Sequence, residues 1–375
     1  MRTGNRPAVL IVSPTYSHPA NQGNSARIQA FGKALQTRGI DVDFLQYELE
    51  KGGKDSEAAM RAAWRYFERL SAQEHKRASF ASCWGLDDWC PIDLVIRVRE
   101  LVEKNDYQAV IVNYVWLSRV FEGFEGPTKI LDTHDLFGDR HRVAQSAGVE
   151  PNWYFTTLDE ESRGFDRADV VIAIQSQELR RIESRTKSQA ILVSHPVDPV
   201  ERPFDQKVRP AAMFGYIGSA NPWNQISIQQ IDTAFKNTGL DWLVAGRVTG
   251  VVKTLESRPL VMGQVKQVQQ FYNAIQCSLN PMVEATGLKI KTIEALAHDM
   301  PIIGSNAAFA GLEPVHLFHQ CDDAVEIAWA AKEFAKHPKL IDELRVAGRE
   351  LFFKYSSDVS RQFDILSQMI TNAKN

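Results

Sequence analysis

The sequence predicts an α/β protein of two Rossmann-like domains. Each is a parallel sheet covered by helices, with ligands expected in a central cleft between them. Three observations carry this. Short apolar runs alternate with helical patterns along the whole chain, the runs fall into two series, and a proline-rich span separates the series. Short apolar runs bounded by turn residues read as strands buried on both faces, as in parallel sheets between helix layers.

The first series occupies residues 9–12, 42–45, 109–112, 130–131, 170–174 and 191–193. The second occupies residues 213–217, 242–245, 260–262, 278–279 and 302–303. Between them stand Pro196, Pro199, Pro203 and Pro210, which read as a linker. The expected domains are 1–198 and 211–355, joined by 199–210. Ser356 or Ser357 can cap a final helix in the segment 356–375.

The 375 residues suffice for two or three cores. Apolar residues at 44% and charged residues at 24% are ordinary for a globular protein. A net charge of −3 argues against a dedicated nucleic-acid binder. No apolar run reaches membrane-spanning length, and the run at 9–12 is too short for a signal peptide. Cys83, Cys90, Cys277 and Cys321 lack metal-ligand spacing and read as reduced thiols, which suits the cytoplasm.

Residues 56–80 interrupt the first series. Met60, Ala63, Trp64, Phe67 and Leu70 fall at helical spacing, with Arg61, Arg65 and Arg69 on another face. The expectation is a helix. It is either packed on its domain or in weak peripheral contact with anionic lipid at the inner face of a membrane.

The most informative stretch runs from Glu284 through Gly287, Leu288, Lys289, Lys291 and Glu294 to Ala297. Read as a helix, steps of four and three residues align Gly287, Lys291 and Glu294, while Ile290, Ile293 and Ala297 turn inward. A helix start, a cation and a carboxylate in line form a cradle for a nucleoside diphosphate. Helix N–H groups and Lys291 take phosphate, and Glu294 accepts from a ribose diol. The plainer alternative is an exposed Lys291–Glu294 pair, contributing a few tenths of a kcal/mol.

Four further groups lie at expected strand ends, where open α/β sheets bind ligands. Ser13 to Arg27 is a long polar loop with Asn21 and a lone Gly23, so it is not a dinucleotide fingerprint. Asp132, His134 and Asp135, with Asp139, Arg140, His141 and Arg142, form the densest ionisable cluster. It admits a metal site, helix caps with ion pairs, or a ligand-facing loop, and it contains no Asp-x-Asp pair. Gly218, Ser219 and Asn221 open a helix whose free N–H groups can face a phosphate. Arg247 follows Gly246 at another strand end, as a phosphate cation or a solvated loop residue.

In order and spacing these pieces resemble the GT-B glycosyltransferases, close to the large retaining group called family 4. The stretch 284–297 resembles the donor-binding helix, and the likeness extends to residues 9–14 with Gly23 and Arg27, 110–118, 130–137, 168–174 and 214–219. The resemblance implies an enzyme that moves a sugar from a nucleotide-sugar donor to a hydroxyl of a glycan or lipid-linked glycan. It implies retention of configuration, no metal or other cofactor, and a place in cell-surface or exopolysaccharide synthesis. Donor binding would fall to Gly218, Ser219, Arg247, Gly287, Leu288, Lys289, Lys291 and Glu294. The loop with Asn21, Gly23 and Arg27, together with Arg140, would reach acceptor or phosphate. His134 would stand beside the transferred sugar, and Asp135 would orient it. The C-terminal helix would return to the first domain.

Two departures stand out. Family members often carry a glutamate eight residues before the second Glu of this helix, where this chain has Thr286, with Glu284 two residues earlier. Many also carry an Arg and a Lys after the Gly218 loop, absent here, so Lys291 and Arg247 are the cations expected to neutralise the leaving diphosphate. Two other functions stay open: a nucleotide-sugar epimerase recruiting Glu284 or Asp135 as base, and a non-catalytic partner subunit of a transferase.

Overall fold

The structure, a computed structural model, describes residues 6–73, 78–146, 148, 150–151, 153–200, 210–251, 255–283 and 287–372. The chain divides into two compact units, Met1–Pro196 with Val359–Asn375, and Val197–Asp358.

In the first unit seven strands form one sheet: β1 (Ala8–Ser13), β2 (Asp41–Glu48), β3 (Tyr66–Ser71), β4 (Ala109–Asn113), β5 (Thr128–Asp132), β6 (Val170–Ala173) and β7 (Gln189–Leu192). The order is β3-β2-β1-β4-β5-β6-β7, and every pairing is parallel. Every residue of β1 and β4 is buried, as strands covered on both faces require. The helices are α1 (Gly23–Gln36), α2 (Ser56–Ala63), α3 (Ile92–Lys104), α4 (Arg140–Ser146), α5 (Leu158–Phe165) and α6 (Ser176–Glu183). Strand succession reverses between β1 and β4. Their carboxyl ends, Ser13 and Asn113, therefore border a topological switch point, with Asp132 of β5 next in the row.

The second unit repeats this plan with five strands: β8 (Ala212–Ile217), β9 (Trp242–Ala245), β10 (Leu260–Gly263), β11 (Ile275–Asn280) and β12 (Ile302–Gly304). The order is β10-β9-β8-β11-β12, again parallel throughout. Its helices are α7 (Pro222–Phe235), α8 (Val268–Asn273), α9 (Ile290–Ala297), α10 (Ala324–Lys336) and α11 (Lys339–Asn372). The switch point lies between β8 and β11. Phe214, Tyr216, Ile231, Phe235, Trp242 and Phe334 fill the core beside it.

Three expectations are corrected. The arginine helix over 56–80 does not form. α2 ends at Ala63, Trp64 is extended at φ −106°, ψ 147°, and Tyr66–Ser71 pairs with Asp43–Glu48 as β3. Trp64, Phe67 and Leu70 satisfy helical spacing, but pairing with β2 satisfies the backbone of the aromatic run, and Trp64 stacks on Phe44 of β2 at 5.7 Å. The arginines are ion-paired instead: Arg61 with Glu57, Arg65 with Asp43, and Arg69 with Glu48. Among the described residues of this segment, no patch of unpaired arginines is left for lipid; residues 74–77 lie outside them.

The last helix does not begin at Ser356. No proline breaks residues 339–372, and Ser356 Oγ donates to Phe353 O at 3.1 Å within one 34-residue helix. From Val359 onward α11 belongs to the first unit, where Phe363 meets Phe31 at 5.2 Å and Gln362 Oε1 accepts from Ser194 N at 2.8 Å.

Finally, α9 starts at Ile290, after Gly287. Gly287 has φ 76° and Lys289 has φ −84°, ψ 88°, neither of them helical. Lys289 Nζ turns back to Gly287 O at 2.7 Å. Gly287 is therefore not on the helical face of Lys291 and Glu294. Glu284 and Thr286 lie outside the described residues, as do residues 201–209 of the expected linker.

Candidate functional site

In the first unit, β5 delivers Asp132 to the switch point, where it is 1% exposed. Arg27, one turn into α1, donates Nη2 to Asp132 Oδ1 at 2.7 Å and Nε to Oδ2 at 3.1 Å. Arg27 Nη2 also reaches Val193 O at 3.0 Å. Arg27 is itself 1% exposed, so it is an internal clamp and not a surface contact of the loop. Burial pushes the Asp132 carboxyl up, but Arg27 and His134 outweigh it and hold it well below the usual carboxylate range.

His134 follows two residues later with φ 59°, in the left-handed region that histidine tolerates better than most side chains. Its Nε2 lies 3.3 Å from Asp132 Oδ2, and its ring stacks on Tyr114 at 4.3 Å. Tyr114, at the end of β4, also has a positive φ of 73°. Buried His195 faces the charges of Arg27 and His134, and burial first, then those charges, lowers its pKa to about 3.

Asp135 is held beside this group. Its Oδ2 pairs with Arg140 at 2.9 Å, and its Oδ1 accepts from Leu136 N at 2.9 Å. Arg140 also lies over the Phe137 ring at 5.2 Å. In the loop after β1, Asn21 Oδ1 accepts from Tyr16 at 2.8 Å, and Gly23 is the first residue of α1. Gln22 and Asn24 flank it and both donate to Glu50, at 2.5 and 3.2 Å. Glu50 follows β2 in the chain, and nothing local in the sequence signals that its carboxylate meets the start of α1. Among the described residues, no cluster of three or more His, Cys, Asp or Glu could hold a metal ion.

In the second unit, β8 ends in the Gly218–Ser219 turn and Asn221 caps α7, its Oδ1 accepting from Asn224 N at 2.8 Å. Pro222 sits in the first turn, where its missing N–H costs nothing. The turn after β9 is locked to the turn after β8. Gly218 N donates to Ala245 O and Val248 N to Gly218 O, both at 3.1 Å. Gly246 makes this approach possible. Its φ is 89°, and a Cβ there would lie 2.3 Å from Gly218 O. Arg247, the next residue, is exposed at that junction.

Lys291 comes to the same turn from α9. Its Nζ donates to Asn224 Oδ1 at 2.7 Å and Tyr216 Oη at 3.1 Å, and stands 4.6 Å above the Tyr216 ring. Gly218, Ser219, Arg247 and Lys291 thus converge at the carboxyl ends of β8, β9 and β11. Leu288 and Lys289 are buried beside them.

Residues 213–337 match the family model for glycosyl transferases group 1. This segment is a group 1 glycosyltransferase domain. The whole chain is similar in fold to sucrose-phosphate synthase from Thermosynechococcus elongatus, at 19% identity and TM-score 0.74, covering 98% of this chain and 100% of that one. It is also similar to HepE from Anabaena, solved in complex with UDP and glucose, at 14% identity and TM-score 0.65, covering 97% and 98%. A third is TarM from S. aureus, solved as a point mutant with UDP, fondaparinux and α-GlcNAc-glycerol, at 9% identity and TM-score 0.68, covering 96% and 99%. A search of curated sequences returns no significant match. The fold is GT-B, and the chain is a transferase enzyme by virtue of that domain.

Within the glycosyltransferase domain, Lys291 and Glu294 form an unusual couple. Burial lowers the Lys291 ammonium to about 7, with Lys289 adding to the fall and Glu294 opposing it. Burial raises the Glu294 carboxyl to about 7, against the pull of Lys291. Close to neutral pH, each group can therefore change charge when a charged ligand arrives. Asn224 and Tyr216 were missed as site residues because a polar cap residue and a core tyrosine carry no separate sequence signal. The helix start at Gly218, Ser219 and Asn221 is the nearest local signal to Asn224. No helix among the described residues is long and apolar enough to cross a membrane.

Proposed function

We propose that the chain transfers a sugar from a nucleotide-sugar donor to a hydroxyl of a glycan or lipid-linked glycan. Configuration is retained, no metal takes part, and the product belongs to cell-surface or exopolysaccharide synthesis at the cytoplasmic side of a membrane. The observation that supports this most is the convergence of Lys291 with the Gly218–Ser219 turn, one helical turn from Glu294. Lys291, Arg247 and the positive end of the α7 dipole suit a diphosphate, and Glu294 suits a ribose diol.

In the reaction the bond from the anomeric carbon to phosphate oxygen breaks and a bond to the acceptor oxygen forms. The nucleoside diphosphate leaves and takes up the acceptor proton. Charge grows on the leaving phosphate, and fixed cations lower the barrier most when they are already in place. His134, braced by Asp132 and Tyr114, serves the transferred sugar. UDP is the first donor nucleotide to try, because HepE of the same fold is solved with UDP and glucose.

Thermal-shift measurements with UDP, GDP, TDP and their common sugars test the reading. A ligand at a hundred times its Kd should stabilise by about 2.7 kcal/mol. The responding donor is then incubated with and without an acceptor panel. Sugar transfer only with acceptor is expected. Conversion of donor alone would mean an epimerase, and binding without turnover across the panel would mean a partner subunit.

A further inference from the structure

We propose that Asn224 is the positioning residue of the donor-phosphate site, setting the Lys291 ammonium against the Gly218–Ser219 turn; this rests on the nucleotide-sugar reading of that site. Asn224 is 3% exposed, and its carboxamide has no hydrogen-bonding position unused. Oδ1 accepts from Tyr216 at 2.9 Å and from Lys291 at 2.7 Å. Nδ2 donates to Ser219 O at 3.1 Å and Ser219 Oγ at 3.0 Å. A carboxamide has two acceptor sites at one end and two N–H donors at the other, so this environment fixes its orientation as well as its position. The backbone beneath it is fixed by the Asn221 cap.

Lys291 needs such a partner. Its stem is flexible, and its ammonium carries three donors, of which Asn224 and Tyr216 take two. The third remains for a phosphate oxygen. An amide oxygen suits this task because it holds the ammonium without neutralising it. A carboxylate would compete with the phosphate for the charge, and an apolar side chain would leave the ammonium to several rotamers. Asn224 touches no ligand in this scheme and acts through Lys291.

Isothermal titration of the full chain with UDP, GDP and TDP, and with uridine, guanosine and thymidine, decides the matter. The variants are Asn224→Ala, Lys291→Met and the double variant. The diphosphate that binds the wild type should bind Asn224→Ala about tenfold more weakly, about 1.4 kcal/mol, while its nucleoside binds both equally. The double variant should bind no more weakly than Lys291→Met, because both changes disable the same cation. Equal loss for nucleoside and diphosphate, or losses that multiply in the double variant, would overturn the proposal. Asn224→Asp guards against a folding failure. Its carboxylate should raise the Lys291 pKa and move the alkaline fall of diphosphate affinity to higher pH, and an unmoved fall would refute the contact. If Lys291→Met binds all three nucleotides as the wild type does, the donor-site reading itself fails. If Lys291→Met is weak and Asn224→Ala is not, only the positioning role fails.

Discussion

Arg27 and Asp132 form a bidentate ion pair, 2.7 and 3.1 Å, between residues 105 apart in sequence and almost wholly buried. Removing one partner of a buried pair strands the other charge, so Arg27→Met should destabilise the first unit by roughly 3–5 kcal/mol. Urea denaturation measures this. The folded Asp132 pKa lies below its ordinary 3.8, so its contribution is present above pH 3.8 and is lost as pH falls through the folded value. The difference between wild type and variant should accordingly shrink in acid. A constant difference from pH 7 down to strong acid would contradict the assignment.

Glu294→Ala should weaken donor-nucleotide binding by roughly 1–3 kcal/mol, as expected for lost hydrogen bonds to a charged group. Titration of the responding nucleotide reads this directly. Unaltered affinity and activity would remove the ribose role from Glu294.

Donor affinity should peak near pH 7. Glu294, raised to about 7, protonates below that value and, as a neutral acid, accepts from the diol more weakly. Lys291, lowered to about 7, deprotonates above it and loses its charge for the phosphate. Glu294→Gln should abolish the acid-side fall and Lys291→Met the alkaline-side fall. Titrations between pH 5.5 and 9, an interval of roughly 1.5–2 units either side, span both transitions. A flat curve in the wild type would exclude the couple from binding.

His134→Ala should lower turnover far more than donor affinity, because a group that interacts as charge develops acts on the transition state. Substitution also costs stability, since alanine is less tolerant of φ 59° than histidine. His134→Asn separates the two effects: asparagine tolerates that conformation, so the melting temperature should recover while turnover stays low. Wild-type turnover in a stable His134→Asn protein would take His134 off the catalytic list.

Activity should persist in excess EDTA. The Asp132 carboxylate is already held by Arg27 and Asp135 by Arg140, so neither is a free ligand for a divalent ion. Loss of activity in chelator, restored by Mg²⁺ or Mn²⁺, would give the cluster a metal role.

Periodicity and punctuation in the sequence determined the α/β class, the two series of strands and the place of Lys291 and Glu294 on one helix. Those signals work because burial on both faces makes a strand apolar throughout, and i, i+3 spacing stacks side chains on a helix. β3 escaped because Trp64, Phe67 and Leu70 also fit helical spacing, and only the neighbouring β2 decides between the two. Arg27 looked like a loop residue for ligands, whereas the order β1-β4-β5 places its guanidinium on Asp132. Asn224 and Lys291, 67 residues apart, meet because β8 and β11 are neighbours at the switch point. Local pattern reports how deeply a residue is buried. Which charge or amide it meets there depends on sheet order, since only the order brings distant carboxyl ends together.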